Sequence, residues 1–566
     1  MRKKTKMGLS LALTAAMTAG LLSGCVGQGS QSSGNTDADT SKTTSTVSVS
    51  TASEESGSGN ETADTGDRPT FKIATVRWTD AWPTDFLKEG FMKELEDKHN
   101  INIEWQIYYA GDWSEQKSLL LASGDLPDAF FGSLALNASD VSQNQSYFID
   151  LTDKIEANMP NLTAAFEEAP ELKAICTSRD GKIYSLPKKL PLRPEVCGDV
   201  MFINKEWLDN LGLDVPTTYK ELEEVLVKFA TEDADGDGDP TNEIGITNSA
   251  NSALMAGDTR HILSPFGTMT SRAGNYMGLN SEGTPVFVPV QENYKEAVKW
   301  MRGLWEQGAV DPEYFTQESS MVTSKQQAEG GSRVGLLFGW TADAQAGVNE
   351  GQYITLEAVE GYDGTHYVEE ASNYLDISDR EFMITTSCSD PDKLLQWADD
   401  FYTDLASMQT FYGSVGSEIT DNGDGTYTVE VPSDGSSLDT SAWSHSFRDF
   451  GPKYMNPDFY DNVILPEDQG DGVKLAQDEI NAKYITEGKN VGLPMIQYTE
   501  EELARITALG TDIYKYVEAQ YAHWVVDGGI EEEWDAYIDQ LNAMGLEELV
   551  EIHTNAYNIY LENMGE

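Results

Sequence analysis

Basic residues are scarce in this 566-residue chain: 38 Lys and Arg stand against 95 Asp and Glu, a formal charge of −57. Such a surface repels a phosphate backbone, so nucleic acid is excluded as a partner, and a strongly anionic ligand would need a local basic pocket. Cysteine is also rare. Cys25, Cys176, Cys197 and Cys388 are the only four, and no Cys-x-x-Cys spacing points to a metal or redox site. One disulfide beside a free thiol fits the last three, Cys176–Cys197 included, and so do three buried thiols. The six histidines are scattered without a His-Glu-x-x-His. Neither a Gly-x-Ser-x-Gly elbow nor a phosphate-binding glycine loop is present, so the common hydrolase and nucleotide signatures are missing. Paired carboxylates for glycoside hydrolysis are the exception, because with 95 acids spacing carries no information. No apolar run reaches the ~20 residues of a membrane span. No period of about 20–50 residues marks a solenoid.

What is present begins with "MRKK", a cationic start, and an apolar, small-residue stretch from Met7 to Leu22 that fits a translocon. It ends in "LLSGC", which resembles the bacterial lipobox, where cleavage precedes a diacylglyceryl cysteine. Residues 1–24 are expected to be a lipoprotein signal peptide and Cys25 the lipidated mature terminus, held at the extracellular face of the bacterial cytoplasmic membrane. A cleaved soluble signal peptide is the alternative. Loss of Arg2, Lys3, Lys4 and Lys6 would take the charge from −57 to −61. Residues 25–68 then offer almost no large apolar side chain, and nothing there offsets the entropy of ordering. A disordered Gly/Ser/Thr tether of this length has a reach of about 35–40 Å.

The remaining residues are too many for one core and suit two lobes. "FKIATVRW" alternates as a strand, "DFLKEGFMKELEDKH" has helical periodicity, and "INIEWQIYY" alternates again. A helix through "EQKSLLLAS" and the apolar "PDAFF" complete a βαβαβ order, which predicts a parallel sheet with helices on its faces. Ligands then bind beyond the carboxyl ends of the strands, at the loops after Arg77, Ala110 and Gly132. A second unit opens near Val200, with a turn at Gly212 and a capping box from Thr218 and Glu221. Strand-like runs return at "RVGLLFGW" and "EFMITTS", and amphipathic helices close the chain. "DNGDGTYTVEV", from Asp421, reads as a plain β-hairpin turn.

"LLLASGDLPDAFF", "DGKIYSLP", "INKEWLDNLGLDVPTTYKELEEVL", "VGLLFGW" and "WDAYIDQLNAMGLEELVEI" occur in an order that resembles the extracellular solute-binding proteins of carbohydrate ABC importers, large lipoprotein branch. The resemblance covers most of residues 70–566. It implies an α/β, two-lobed periplasmic-binding-protein-like fold (type II) with an interlobe cleft and several hinge crossovers. Lobe 1 would comprise 69–190 and about 378–450, and lobe 2 191–377 and about 451–566. The implied function is capture of an oligosaccharide by a monomer and its delivery to permease subunits, without catalysis. A cell-surface glycoside hydrolase and a carbohydrate-binding adhesin or sensor are the rivals.

"DADGDGDPTNEIG" places Asp233, Asp235, Asp237 and the carbonyl of Asp239 at alternate positions, with Gly238 sixth for a sharp turn. Calcium accepts such alternation of oxygens. An EF-hand needs an acid at its twelfth position, where this chain has Ile244. The family resembled has an acidic loop ending in Asp-Glu that holds structural calcium, and Asn242 and Glu243 match that pair with one residue inserted before them. A structural Ca2+ is therefore expected, with a metal-free acidic turn as the alternative. Of the 12 tryptophans, Trp207, Trp300, Trp305, Trp397, Trp524 and Trp534 fall in helical patterns and read as packing residues. Trp105 falls inside a strand. Trp78, Trp82, Trp113 and Trp340 fall at strand ends or in loops, where a flat ring beside polar groups suits the C–H face of a sugar. The resemblance adds a sugar-stacking Trp after the Gly that precedes Trp340. Trp443, with Arg448, and Arg193 in the first crossover complete the candidate ligand set.

Overall fold

"TFKIATVR" alternates only over its first residues, and from Ile73 onward the strand is buried on both faces, as a central strand of a parallel sheet is. In the computed structural model Thr70–Arg77 (β1) leaves only Thr70 and Lys72 exposed. The structure describes residues 68–190, 199–250, 254–369, 377–467, 469–485 and 489–565. The expected signal peptide, Cys25, Arg193 and Cys197 lie outside the described residues. The described residues belong to one compact unit, Thr65–Glu566.

β1 pairs in parallel with Asn102–Tyr109 (β2) and with Ala129–Phe131 (β3), as the βαβαβ reading expects. The intervening helices are Gly90–Lys98 and Ala110–Ser123. A short 3₁₀ turn, Asp85–Lys88, precedes the first of them, because Gly90 takes φ 49° and interrupts the helical pattern. The strand Ile377–Ile384 runs antiparallel to β3 and to Leu186–Lys189 (β4). Lys453–Tyr454 extends the sheet beyond β4, in parallel. A second sheet orders Tyr353–Thr355, Val200–Asn204 (β5), Val334–Gly339 and Ile244–Ile246 (β6). The chain thus passes from the first sheet to the second between Lys189 and Val200. It returns between Thr355 and Ile377, and leaves the first sheet again after Tyr454.

The helix Tyr219–Thr231 starts at the expected capping box: Thr218 Oγ1 accepts the Glu221 N–H at 3.2 Å, and Glu221 Oε2 accepts the Thr218 N–H at 3.2 Å. It buries Leu222, Val225, Leu226 and Phe229 against the second sheet. The closing helices are Glu500–Val526, Ile530–Met544 and Leu546–Met564, the last two split at Gly545. Trp524, Trp534 and Tyr537 pack ring against ring inside them. Trp207, Trp397 and Trp524 are completely buried and Trp300 nearly so, while Trp305 is half-buried. The Asp421 hairpin forms as read, from Ile419–Asp421 and Tyr427–Val429. Cys176 and Cys388 are buried free thiols, so neither is in a disulfide. Among the described residues no helix is long and apolar enough to cross a membrane.

Gly245, in β6, shows how tightly helix and sheet are seated. A Cβ there would lie 2.5 Å from the Ala309 carbonyl oxygen and 2.8 Å from that of Leu226, both backbone atoms that cannot rotate away. Gly245→Ala is expected to destabilise the protein by about 1–3 kcal/mol, and thermal unfolding followed by circular dichroism measures it. An unchanged melting temperature would show that this seat is looser than drawn.

Candidate ligand-binding and metal sites

β1 ends in a cation and the loop after it carries rings. Trp82 stacks on Trp443 with centroids 5.0 Å apart and planes 10° from parallel. Phe450 joins them, 5.5 Å from Trp443 and 6.0 Å from Trp78. Trp78 is 46% exposed, so one ring of this set stands open to solvent. Trp443 lies on the helix Leu438–His445, whose Ser437 N-cap accepts the Thr440 N–H at 3.2 Å. Its C-terminal end is held by Arg77, which donates to the Trp443 carbonyl and, at 3.5 Å, to that of Ser446. Burial lowers the Arg77 pKa to about 10. This is still far above neutrality, so the guanidinium stays charged against the carbonyl end of the helix.

The loop carrying Phe450 is pinned by buried charges that the sequence reading did not identify. Lys453, fully buried, donates to the carbonyls of Arg448 at 2.7 Å and Phe450 at 2.5 Å. Burial pushes its pKa well below the usual lysine range. Lys188 donates to the Asp449 carbonyl and lies 3.1 Å from Glu381 Oε1. Glu381 Oε2 accepts the Gly451 N–H at 2.8 Å and the Ser133 N–H at 3.0 Å. Gly451 has φ 85°, and a Cβ on it would sit 2.2 Å from the Phe131 ring, so only glycine lets the loop approach the sheet.

Trp340 follows Gly339 at the end of a strand in the second sheet. The fully buried Lys474 donates to its carbonyl at 2.9 Å and places its ammonium 4.5 Å from the ring centroid. Lys474 belongs to the helix Asp471–Asn481. One turn earlier on that helix, Asp471 accepts from the Tyr412 hydroxyl at 2.7 Å and pairs with Arg448 at 3.2 Å. Arg448, expected as a ligand partner of Trp443, is buried in that ion pair and over the Phe411 ring at 3.9 Å. Trp113 also departs from expectation. It is 5% exposed, its indole N–H donates to the Ala135 carbonyl at 2.7 Å, and Tyr108 packs on it at 4.5 Å. It supports the loop after β3 instead of presenting a face.

Charged groups meet again where the chain passes between sheets. Asp199 and Glu369 both accept from Arg272, at 3.1 and 2.7 Å. His261 reaches Asp199 at 3.1 Å, and Arg260 reaches Glu369 at 3.1 Å. Burial would raise the Asp199 pKa, but the Arg272 and His261 charges prevail and lower it. A separate cavity of about 360 Å³ is lined by Cys176, Arg179, Tyr184, Asp379, Arg380 and Gln497. Its Arg380 takes φ 57° at an irregularity in the strand pairing.

The acidic loop gathers three carboxylates of its own. Oxygens of Asp233, Asp235 and Glu243 lie within 4.8 Å of one another. Asp233 accepts the Gly238 N–H at 3.1 Å, and Glu243 accepts the Ala234 N–H at 2.8 Å. The Asp237 carboxylate turns to the Asn242 amide at 2.8 Å, and that of Asp239 to Thr241. Glu243 Oε2 and Asn242 Oδ1 are buried acceptors without a donor. Burial raises the Glu243 pKa, and nearby Asp235 adds to it. Crowded carboxylates with orphaned acceptors beside them fit a hard, oxygen-seeking cation.

The family model of the bacterial extracellular solute-binding proteins matches residues 80–399. A curated relative, the fructooligosaccharide ABC transporter substrate-binding protein FusA of Streptococcus pneumoniae serotype 4, is 29% identical over 500 residues, covering 85% of this chain and 89% of its own. Among solved structures, a solute-binding protein of Bifidobacterium longum infantis, described as HMO-binding and ABC-transporter-associated, superposes with a TM-score of 0.75 at 27% identity. It covers 88% of this chain and 99% of that one. An EF-hand mutant of S. pneumoniae FusA in complex with fructo-nystose superposes at 0.68 with 26% identity, covering 87% of this chain and 100% of that one. The fold is the two-lobed α/β fold of these proteins. With more than half of its residues matched by the family model, the chain belongs to the bacterial extracellular solute-binding proteins.

Proposed function

We propose that this protein captures an oligosaccharide between its two lobes and hands it to the permease of an ABC importer. In this reading the aromatic set is the capture surface, and the stacked Trp82–Trp443 pair with the exposed Trp78 beside it is the observation that carries it. The names of the relatives support the ligand class, with fructooligosaccharides first among the sugars to test. A micromolar affinity requires about −8 kcal/mol. Burying about 300 Å² of ring surface contributes around 7 kcal/mol gross at ~25 cal/mol per Å². Association costs reduce that, so polar groups, Arg193 among them, supply the rest. Trp82→Ala and Trp340→Ala are each expected to weaken binding at least ~10-fold with the far-UV circular dichroism unchanged. Trp113→Ala should instead lower the melting temperature, as a buried ring does. Titration calorimetry with kestose and a wider glycan panel reads the affinities. A panel without a ligand, or a sugar recovered cleaved, would sink the proposal.

Calcium is the second element of this reading. Asp233, Asp235 and Glu243 hold it, with Asn242 and the Asp237–Asp239 turn completing the cage, and it fastens the loop without touching sugar. The cluster geometry supports this, as does the solved EF-hand mutant of a relative. A metal seen by the native state alone stabilises it by mass action. EDTA should therefore lower the melting temperature, and Asp235→Ala should remove that sensitivity while leaving sugar affinity intact. A melt indifferent to EDTA would discard the metal.

The third element is the anchor. Lipidation at Cys25 keeps the protein at the extracellular face of the membrane, supported by "LLSGC" and the apolar stretch before it. Cys25→Ala should move the protein from the membrane fraction into the medium. Retention after a salt wash would contradict it.

A further inference from the structure

We propose that Lys474 is a positioning residue for ligand recognition, acting through Trp340, and that the helix Asp471–Asn481 is the strut that couples the two aromatic sites. This rests on the capture reading above. The helix is unusual in what it buries. Asp471, Lys474, Gln477 and Asn481 are 1%, 0%, 7% and 3% exposed, a polar stripe turned inward along one side. Buried polar side chains persist where their bonds fix a geometry. Here each end of the stripe reaches a different place. Asn481 Oδ1 accepts the Ala358 N–H at 2.8 Å, fixing the far end. Lys474 fixes Trp340 twice, by its hydrogen bond to the carbonyl and by the ammonium over the ring. Asp471 fixes Tyr412 and Arg448, and the Arg448 carbonyl in turn accepts from Lys453, which also holds Phe450. Two residues three apart on a helix share a face and cannot move independently. The Trp340 ring and the Trp78–Trp82–Trp443–Phe450 set are therefore tied to one rigid element.

The consequence for recognition is geometric. A cation over one face of an indole holds the ring plane and is strengthened by desolvation. A sugar stacking on Trp340 has to use the face turned from the ammonium, at a height set by the Lys474 hydrogen bond. Lys474 is completely buried against the ring, so in this proposal its removal acts on affinity through Trp340.

A double-mutant cycle separates this from a general structural role. Lys474→Met should weaken kestose, or the tightest sugar of the panel, about 10-fold, and Lys474→Arg, which keeps a donor and a cation over the ring, should restore most of it. In a Trp340→Ala background Lys474→Met should have no further effect, whereas in a Trp113→Ala background its cost should persist in full. Without any sugar, the acrylamide quenching assigned to Trp340, as wild type minus Trp340→Phe, should rise in Lys474→Met. Full affinity in Lys474→Met, or an equal loss with and without Trp340, overturns the positioning role while leaving sugar capture standing. Absence of any sugar ligand for the wild type overturns both, and the quenching measurement still reports whether Lys474 holds the ring.

Discussion

The carboxylate of Glu381 is the fixed point beneath the aromatic set of Trp78, Trp82, Trp443 and Phe450. It is completely buried, yet it binds the backbone of the loop after β3 through Ser133, the backbone of the Phe450 loop through Gly451, and the ammonium of Lys188. A buried charge is costly unless its partners are close and geometrically sound, and breaking such a set is much more damaging than never having built it. The cost is concentrated where the Phe450 loop meets the sheet. Lys453 repeats the device from the other side, with carbonyls in place of a carboxylate. Rigid backbone therefore lies beneath an aromatic surface whose own side chains remain partly open.

Aromatic binding surfaces work when the rings are held in place before the ligand arrives, since ordering them on contact would consume the affinity. Three of the rings here have such a holder. Trp443 has Arg77 at the end of its helix, Trp82 has Trp443, and Trp340 has Lys474. The cations used are buried, which leaves the strongly acidic character of the exterior unaltered. The same exterior explains why a cluster such as Asp233, Asp235 and Glu243 suits a divalent ion: like charges at close range demand a counter-charge.

Much of the frame was legible in the sequence because it rests on local rules. Alternation in "FKIATVRW" and "INIEWQIYY" marked the paired strands, and Thr218 with Glu221 marked a helix start that the structure shows hydrogen-bonded in both directions. The site was legible only in part. Trp113 follows a strand in the sequence as Trp78 does, but it falls inside the helix Ala110–Ser123, where its indole N–H donates to the Ala135 carbonyl 22 residues on and Tyr108 packs on its ring. The helix at Asp471 was unreadable for a different reason. A stripe of Asp, Lys, Gln and Asn ordinarily marks the wet side of a helix, and nothing local reveals that this one faces inward. Lys188, Glu381 and Lys453 are likewise separated by up to hundreds of residues, so their meeting is a product of sheet order, not of pattern.

One guanidinium, Arg272, holds both Asp199 and Glu369, the described residues that border the two passages between the sheets on the second-sheet side. Asp199 and Glu369 lie far apart along the chain, yet one planar group fixes the distance between them. The two stretches are thus tied to each other by charge as well as by the backbone that joins them, and neither can shift at this point without carrying the other.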